Sequence, residues 1–244
     1  MYFSGNGTAR GYAEALKFFS LAASRGILEA SLGMGHMYEY GNGVQRDPVK
    51  AAGLYRVAAE KGLADAQLEL GYLYNTGKGV RKDDFEAAKW FLRSAEQRHP
   101  IAQTALGFMY HQGTGVRRDY RQAAEWFRRA AEQNCSQAQF NLGVLYETGL
   151  GVPLNYSEAY KWFTLATPGG YADSRRAREA LTKIMTEPQL RDGKASVSDW
   201  VLHHNNPALT TLKAEPGEQD SYTAAVRRNG SVSQQPATSD SVIR

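Results

Sequence analysis

The sequence predicts an all-α fold, a right-handed α/α superhelical solenoid of helix-turn-helix repeats 36 residues long. Three regularities carry this reading. A Gly-x-Gly turn recurs at Gly41 and Gly43, Gly77 and Gly79, Gly113 and Gly115, and Gly149 and Gly151, with Gly5-Asn6-Gly7 preceding at the same spacing. A tyrosine stands three residues before the first glycine each time, at Tyr2, Tyr38, Tyr74, Tyr110 and Tyr146. An Asp or Asn follows the last four turns in register, at Asp47, Asp83, Asp119 and Asn155. Self-similarity at a fixed period of this size marks a stack of units, each burying its apolar face against its neighbours.

The first 26 residues read as a partial unit, and four full units follow at 27–62, 63–98, 99–134 and 135–170. In the unit 63–98, Ala66, Leu70, Leu73 and Tyr74 fall on one face of a first helix, helix A. Gly77 is expected to end it, because glycine takes the left-handed conformation of a helix C-terminus freely. Gly79 then lets the chain reverse, and Val80 drops beneath the turn. Asp83 is suited to cap the second helix, helix B, by accepting an unpaired first-turn N–H. Glu86 three residues on predicts a reciprocal capping box, repeated at Gln122 and Glu158. Lys50 breaks that pattern in its own repeat, where Pro48 at the first helical position compensates. Helix B is expected to run to about Gln97 and to bury Ala87, Trp90, Phe91, Ser94 and Ala95, mirrored by Ala123, Trp126, Phe127, Ala130 and Ala131. Gly26, Gly62 and Gly170 close B helices, and Arg98 and Asn134 hold the equivalent sites. Arg98 should carry strain there, or end its helix differently with help from Pro100.

Composition narrows the function classes. At 244 residues and 42% hydrophobic, the chain can bury a continuous core, and it has no apolar run long enough for a spanning helix. A net charge of +4 is too mild to argue for nucleic acid. The single cysteine, Cys135, excludes an internal disulfide framework. No signal peptide is visible after Met1. Met1-Tyr2 aligns with Met37-Tyr38 and Met109-Tyr110 at the end of a helix A, so the chain is expected to start within a unit. The compartment therefore stays open between cytoplasmic and exported.

The repeats resemble the bacterial type of the Sel1-like repeat family, α-solenoids related to the tetratricopeptide repeat. The resemblance rests on Ala66, Leu70-Gly71, Tyr74, Gly77, Gly79-Val80, Asp83, Ala87, Trp90-Phe91 and Ala95, and on their counterparts from Ala102 to Ala131. It covers residues 1–170, and the 36-residue period separates it from the 34-residue tetratricopeptide pattern. After Gly170 the pattern fades: Ser174, Arg176 and Glu179 stand where Ala66, Leu68 and Gly71 stood, as a polar terminal cap should read. Thr186 and Gln189 predict the cap and box of a closing helix, weakened by Gly193 and ending near Trp200, so 171–202 are read as C-terminal capping helices. Residues 203–244 are rich in Ser, Thr, Asn, Gln and Pro without a period, and are read as a disordered tail.

No catalytic constellation is found. His36, His99 and His111 lie in different repeats without a paired-His spacing, and His203-His204 fall in the expected tail without further ligands. Cys135 stands where Ile27, Leu63 and His99 stand, with no base nearby, and reads as a packing thiol. Each Gly-x-Gly turn follows a helix rather than a strand, which argues against a phosphate loop. No cofactor or metal is expected. The cysteine-rich branch of the family is associated with β-lactam binding or weak hydrolysis, but it staples each repeat with a cysteine pair, which this chain lacks. A structural spacer within a longer chain is the other alternative.

What remains is surface. The resemblance implies that helix A lines the concave side of the superhelix, where a protein or peptide partner is received. Positions 65, 68, 69, 72 and 76 share one face of helix A. In register the rows read Glu29, Leu32, Gly33, His36, Tyr40; Asp65, Leu68, Glu69, Tyr72, Thr76; Ile101, Thr104, Ala105, Phe108, Gln112; and Gln137, Phe140, Asn141, Val144, Thr148. His36, Tyr72 and Phe108 form a ladder with Phe140 beside it. The expected partner contacts are His36, Tyr40, Leu68, Glu69, Tyr72, Thr104, Phe108, Gln112, Phe140, Asn141 and Val144, since aromatic anchors among adaptable polar groups suit protein binding. The alternative is that these rings pack between helices. Arg117, Arg118, Arg121, Arg128 and Arg129 form a basic cluster, but Glu125 and Glu132 are interleaved with the last two, which reads as a solvated, salt-bridged face. The function expected is a non-catalytic interaction scaffold or adaptor.

Overall fold

The computed structural model describes residues 9–204. They form eleven helices and, among the described residues, no strand. Helix α1 (Ala9–Ser24) is the B helix of the partial unit. The A and B helices of the four repeats alternate after it: α2 (Leu28–Tyr40) and α3 (Pro48–Glu60), α4 (Ala64–Thr76) and α5 (Asp84–Glu96), α6 (Pro100–Gln112) and α7 (Tyr120–Ala131), α8 (Ser136–Thr148) and α9 (Tyr156–Ala166). Each A helix packs on its own B helix, and each B helix on the next A helix, so the apolar core runs on through the stack. The chain is an all-α solenoid.

Each turn is held by backbone chemistry that the repeated residues make feasible. Gly41, Gly77, Gly113 and Gly149 end their A helices with φ between 70° and 77°, in the left-handed region. Asp47, Asp83, Asp119 and Asn155 cap the B helices through side-chain oxygens that accept first-turn N–H groups. The reciprocal half of the expected capping box is not made. The N–H of each cap residue instead donates to the carbonyl of the recurrent tyrosine, Tyr38, Tyr74, Tyr110 or Tyr146, at 2.8 to 2.9 Å. That carbonyl lies in the last turn of helix A, where backbone acceptors lack intrahelical partners. With the site taken, Glu86 pairs with Lys89, and Glu158 accepts from Lys161 and Trp162. Tyr74 and Tyr146 are tied further: their hydroxyls accept from Arg56 and Arg128 of the preceding B helix.

The second glycine of the turn has a task beyond reversal. A side chain on Gly79 would enter the backbone of Pro48, and one on Gly115 or Gly151 the backbone of Asp84 or Tyr120. These glycines are where one repeat presses on the B-helix N-terminus of the repeat before it. Within the A helices, Gly71, Gly107 and Gly143 make room for the rings of Phe91, Phe127 and Phe163. Those rings are buried along with Trp90, Trp126 and Trp162 and the flanking alanines. At the far ends of α5 and α7, Arg98 and Asn134 adopt positive φ, 66° and 62°, so Arg98 takes the same left-handed closure as the glycines.

Two further helices finish the stack, α10 (Ala172–Thr182) and α11 (Glu187–His204). Although α10 is polar, Ser174 and Leu181 are fully buried in it. Thr186 and Gln189 close a reciprocal box at the start of α11. Gly193 does not interrupt α11, which runs unbroken to His204 and docks mainly on α9. A Cβ at position 193 would come within 2.9 Å of the Tyr160 ring, so this glycine permits that docking. His203 and His204 therefore belong to the helix rather than to a tail. The rest of the expected tail, 205–244, lies outside the described residues, as do the first turn at Gly5-Asn6-Gly7 and the chain start.

Candidate functional site: the face of the A helices

The A-helix face is built from rings propped on the core. His36 meets Tyr55 edge-on at 5.5 Å between centroids, Tyr72 meets Phe91 at 5.1 Å, and Phe108 meets Phe127 at 5.2 Å. In each pair the B-helix ring is buried, and the A-helix ring is half-buried with one part toward solvent. T-shaped contacts of this kind add about 0.5–1.5 kcal/mol beyond burial and hold the outer ring in one pose. Burial also pushes the Tyr72 hydroxyl above the usual phenol range. Val144 holds the fourth position of the row, and the neighbouring Phe140 lies between Phe163 and Tyr171.

Not every expected contact residue reaches the surface. Leu68 is 0% exposed and Thr104 2%, so neither can touch a partner from where it stands. Leu68 is packed against Phe91 and Leu106, and the Thr104 hydroxyl donates to the Pro100 carbonyl and lies 3.4 Å from Cys135 Sγ. Both turn into contacts between elements rather than outward. Glu69, Asn141 and Val144 are half-buried, whereas Tyr40 (44% exposed) and Gln112 are open.

A polar knot joins the first two repeats on this face. His36 Nε2 lies 3.4 Å from Glu69 Oε1 across α2 and α4. Beneath it the Tyr55 hydroxyl donates to Glu39 Oε2 at 2.8 Å, and Lys78 Nζ lies 3.8 Å from Glu39 Oε1. Desolvation holds the Glu39 carboxyl above its ordinary range, and the Glu69 charge adds to this, while Tyr55, Lys78 and His36 oppose it. One repeat further, His99 lies 3.0 Å from Asp65, which keeps the Asp65 carboxyl below its usual range.

Sequence reasoning passed over a second ladder. Gln67, Gln103 and Gln139 donate to the carbonyls of Ala59, Ala95 and Ala131, which end the preceding B helices. The side-chain carbonyls of Gln67 and Gln103 in turn accept from Gln97 and Gln133. At the fourth junction Gly169 replaces that glutamine, and Gln139 Oε1 is buried without a partner. The signal was present as glutamine recurring at 36-residue spacing, one residue after the alanines of the repeat pattern.

The other candidates resolve into structure. Arg128 and Arg129 both pair with Glu125 at 3.1 Å, leaving Arg117 and Arg118 beside an open cleft of about 1120 Å³ near Phe85 and Tyr110. Among the described residues no group of three or more His, Cys, Asp or Glu could hold a metal ion, and no helix is long and apolar enough to cross a membrane.

The comparisons agree with this geometry. The Sel1 repeat model matches residues 1–27, 28–63, 64–99, 100–135 and 136–167. A protective antigen present in uropathogenic Escherichia coli strains, displaying an SLR fold, superposes with a TM-score of 0.54 at 29% identity, over 83% of this chain and 52% of its own. The chain thus spans about half the length of that relative. A Sel1 repeat protein from Oxalobacter formigenes superposes with a TM-score of 0.64 at 27% identity, over 82% of this chain and 78% of its own. An immunity protein from Pseudomonas aeruginosa, at 17% identity and a TM-score of 0.50, shares the fold over 84% of this chain and 81% of its own. Comparison with curated proteins finds no match. With its repeats matched one after another through residue 167, the chain belongs to the Sel1 repeat family.

Proposed function

We propose that the chain is a non-catalytic interaction scaffold that holds a segment of a partner protein along the face of its A helices. The observation that carries this reading is the row His36, Tyr72, Phe108. Each ring is fixed edge-on by a buried ring of the B helix and still reaches solvent. Rings held in one pose lose little conformational freedom on binding, which is what a contact surface needs. Tyr40, Glu69, Gln112, Asn141 and Val144 extend the face with polar and apolar groups, and Phe140 continues it at the fourth repeat. Family membership supports the reading, since Sel1 repeats commonly serve as protein-interaction scaffolds.

The test is a selection of displayed random peptides on the immobilised chain, read against Tyr72→Ala with Phe108→Ala. Selected peptides are expected to lose at least about tenfold in affinity for this variant. Both rings touch the core, so a second variant, Gln112→Lys with Thr148→Lys, obstructs the same face from two exposed positions. Binding that survives in both variants, with helical content intact, would sink the proposal.

A further inference from the structure

We infer that the partner segment is cationic, and that one of its Lys or Arg side chains docks between α2 and α4 against Glu69, Tyr72 and Tyr40. This rests on the scaffold reading above and adds the chemistry of the occupant. The basis is a segregation of charge. The chain holds 29 Lys and Arg and a net charge of +4, yet α2, α4, α6 and α8 carry no Lys or Arg. Their charged residues are Glu29, Glu39, Asp65, Glu69 and Glu147, with His36 and His111 beside them. The B helices take the cations instead: Lys50, Arg56, Lys89, Arg93, Arg121, Arg128, Arg129 and Lys161. The rings follow the same division, for Trp90, Trp126 and Trp162 are each covered by a cation of their own B helix at 4.5 to 4.6 Å.

Carboxylates and rings lie closest together at the first two repeats. Glu69, its side chain 12% exposed, stands one helical turn from Tyr72, and His36 brings α2 against it at 3.4 Å, with the exposed Tyr40 one turn further on. A guanidinium or ammonium placed there meets the Glu69 carboxylate with the Tyr72 and Tyr40 rings close by, two attractions that act on the same group. The face is also directional. Glu29, Asp65 and Glu69 lie on α2 and α4, whereas α6 and α8 present Ile101, Ala105, Phe108, Gln112, Gln137, Asn141 and Val144. A segment with its cation toward α2 and apolar and amide-bonding side chains toward α8 matches that gradient.

The experiment uses the same displayed-peptide selection on the full chain. Selected peptides are expected to share a Lys or Arg, to weaken as NaCl is raised, and to lose about tenfold in affinity for Glu69→Gln. They should keep wild-type affinity for Glu96→Gln, an exposed carboxylate on a B helix. Neutral or acidic peptides that need Tyr72 and Phe108 but ignore Glu69→Gln would overturn the cationic assignment and leave the scaffold reading standing. Peptides indifferent both to the Tyr72 and Phe108 substitutions and to Gln112→Lys with Thr148→Lys would overturn both readings. A synthetic peptide of residues 205–244, or excess unlabelled chain, that displaces the selected peptide would show the occupant to be the chain itself and overturn the assignment to a separate partner.

Discussion

Glu39 shows how a single residue can be placed at a cost. Its carboxyl is 5% exposed, with the Tyr55 hydroxyl and the more distant Lys78 ammonium to answer its charge. Because its folded pKa is raised above the ordinary 4.5, there is a pH range above that value in which the folded chain keeps a proton that the unfolded chain releases. Stability from this group is therefore fullest in acid and declines as pH rises through the raised value. Glu39→Gln keeps an acceptor for Tyr55 without the charge. The substitution should raise the melting temperature at pH 7 and change it little at pH 4. Equal shifts at both pH values, in parallel thermal melts, would contradict this account. Nothing in the sequence marked Glu39, because its register neighbours are Asn75, His111 and Glu147 and no single chemistry repeats there. The spacing that puts His36, Tyr72 and Phe108 in one register was legible in the sequence, whereas the burial of Leu68 and Thr104 was not. Their spacing on helix A is right, but their exposure is decided by side chains from other elements, Phe91 and Leu106 around Leu68 and Cys135 beside Thr104, which one helix's periodicity cannot show.

At the scale of the element, the turn separates what spacing can reveal from what it cannot. The caps Asp83 and Asp119 were readable because a short acceptor before an apolar run has one common use. The partner of the cap's own N–H was misassigned to Glu86 and Gln122, since the competing acceptor, a tyrosine carbonyl nine residues upstream, belongs to every residue type. The two residues of the motif should therefore behave unequally. Asp119→Ala is expected to cost about 1 kcal/mol in chemical denaturation. Gln122→Ala should stay within about 0.5 kcal/mol, as for a surface substitution. A closed box would make the two costs comparable. The same limit applies to α11, where Gly193 reads as a helix breaker until Tyr160 of α9 is seen against it.

At the scale of the whole molecule, the solenoid is coupled at contacts that recur once per repeat. Gly79, Gly115 and Gly151 each touch the backbone of the preceding B helix and hold a left-handed φ, so any side chain there acts on the joint between repeats. Gly115→Ala should cost about 1–3 kcal/mol. It should also broaden thermal unfolding, because nearest-neighbour coupling is what makes a repeat array melt together. A sharp transition at the wild-type temperature would show the joint to be elsewhere. The period foretold that such joints exist, but which of the two glycines forms them depends on contacts with another repeat.

The absence of lysine from the A helices also has a practical side. Amine-directed coupling reaches the B helices and turns and leaves α2, α4, α6 and α8 chemically untouched. A chain tethered through its lysines would not be attached through any A helix, so a sensor surface can be made without altering one residue of the ring row.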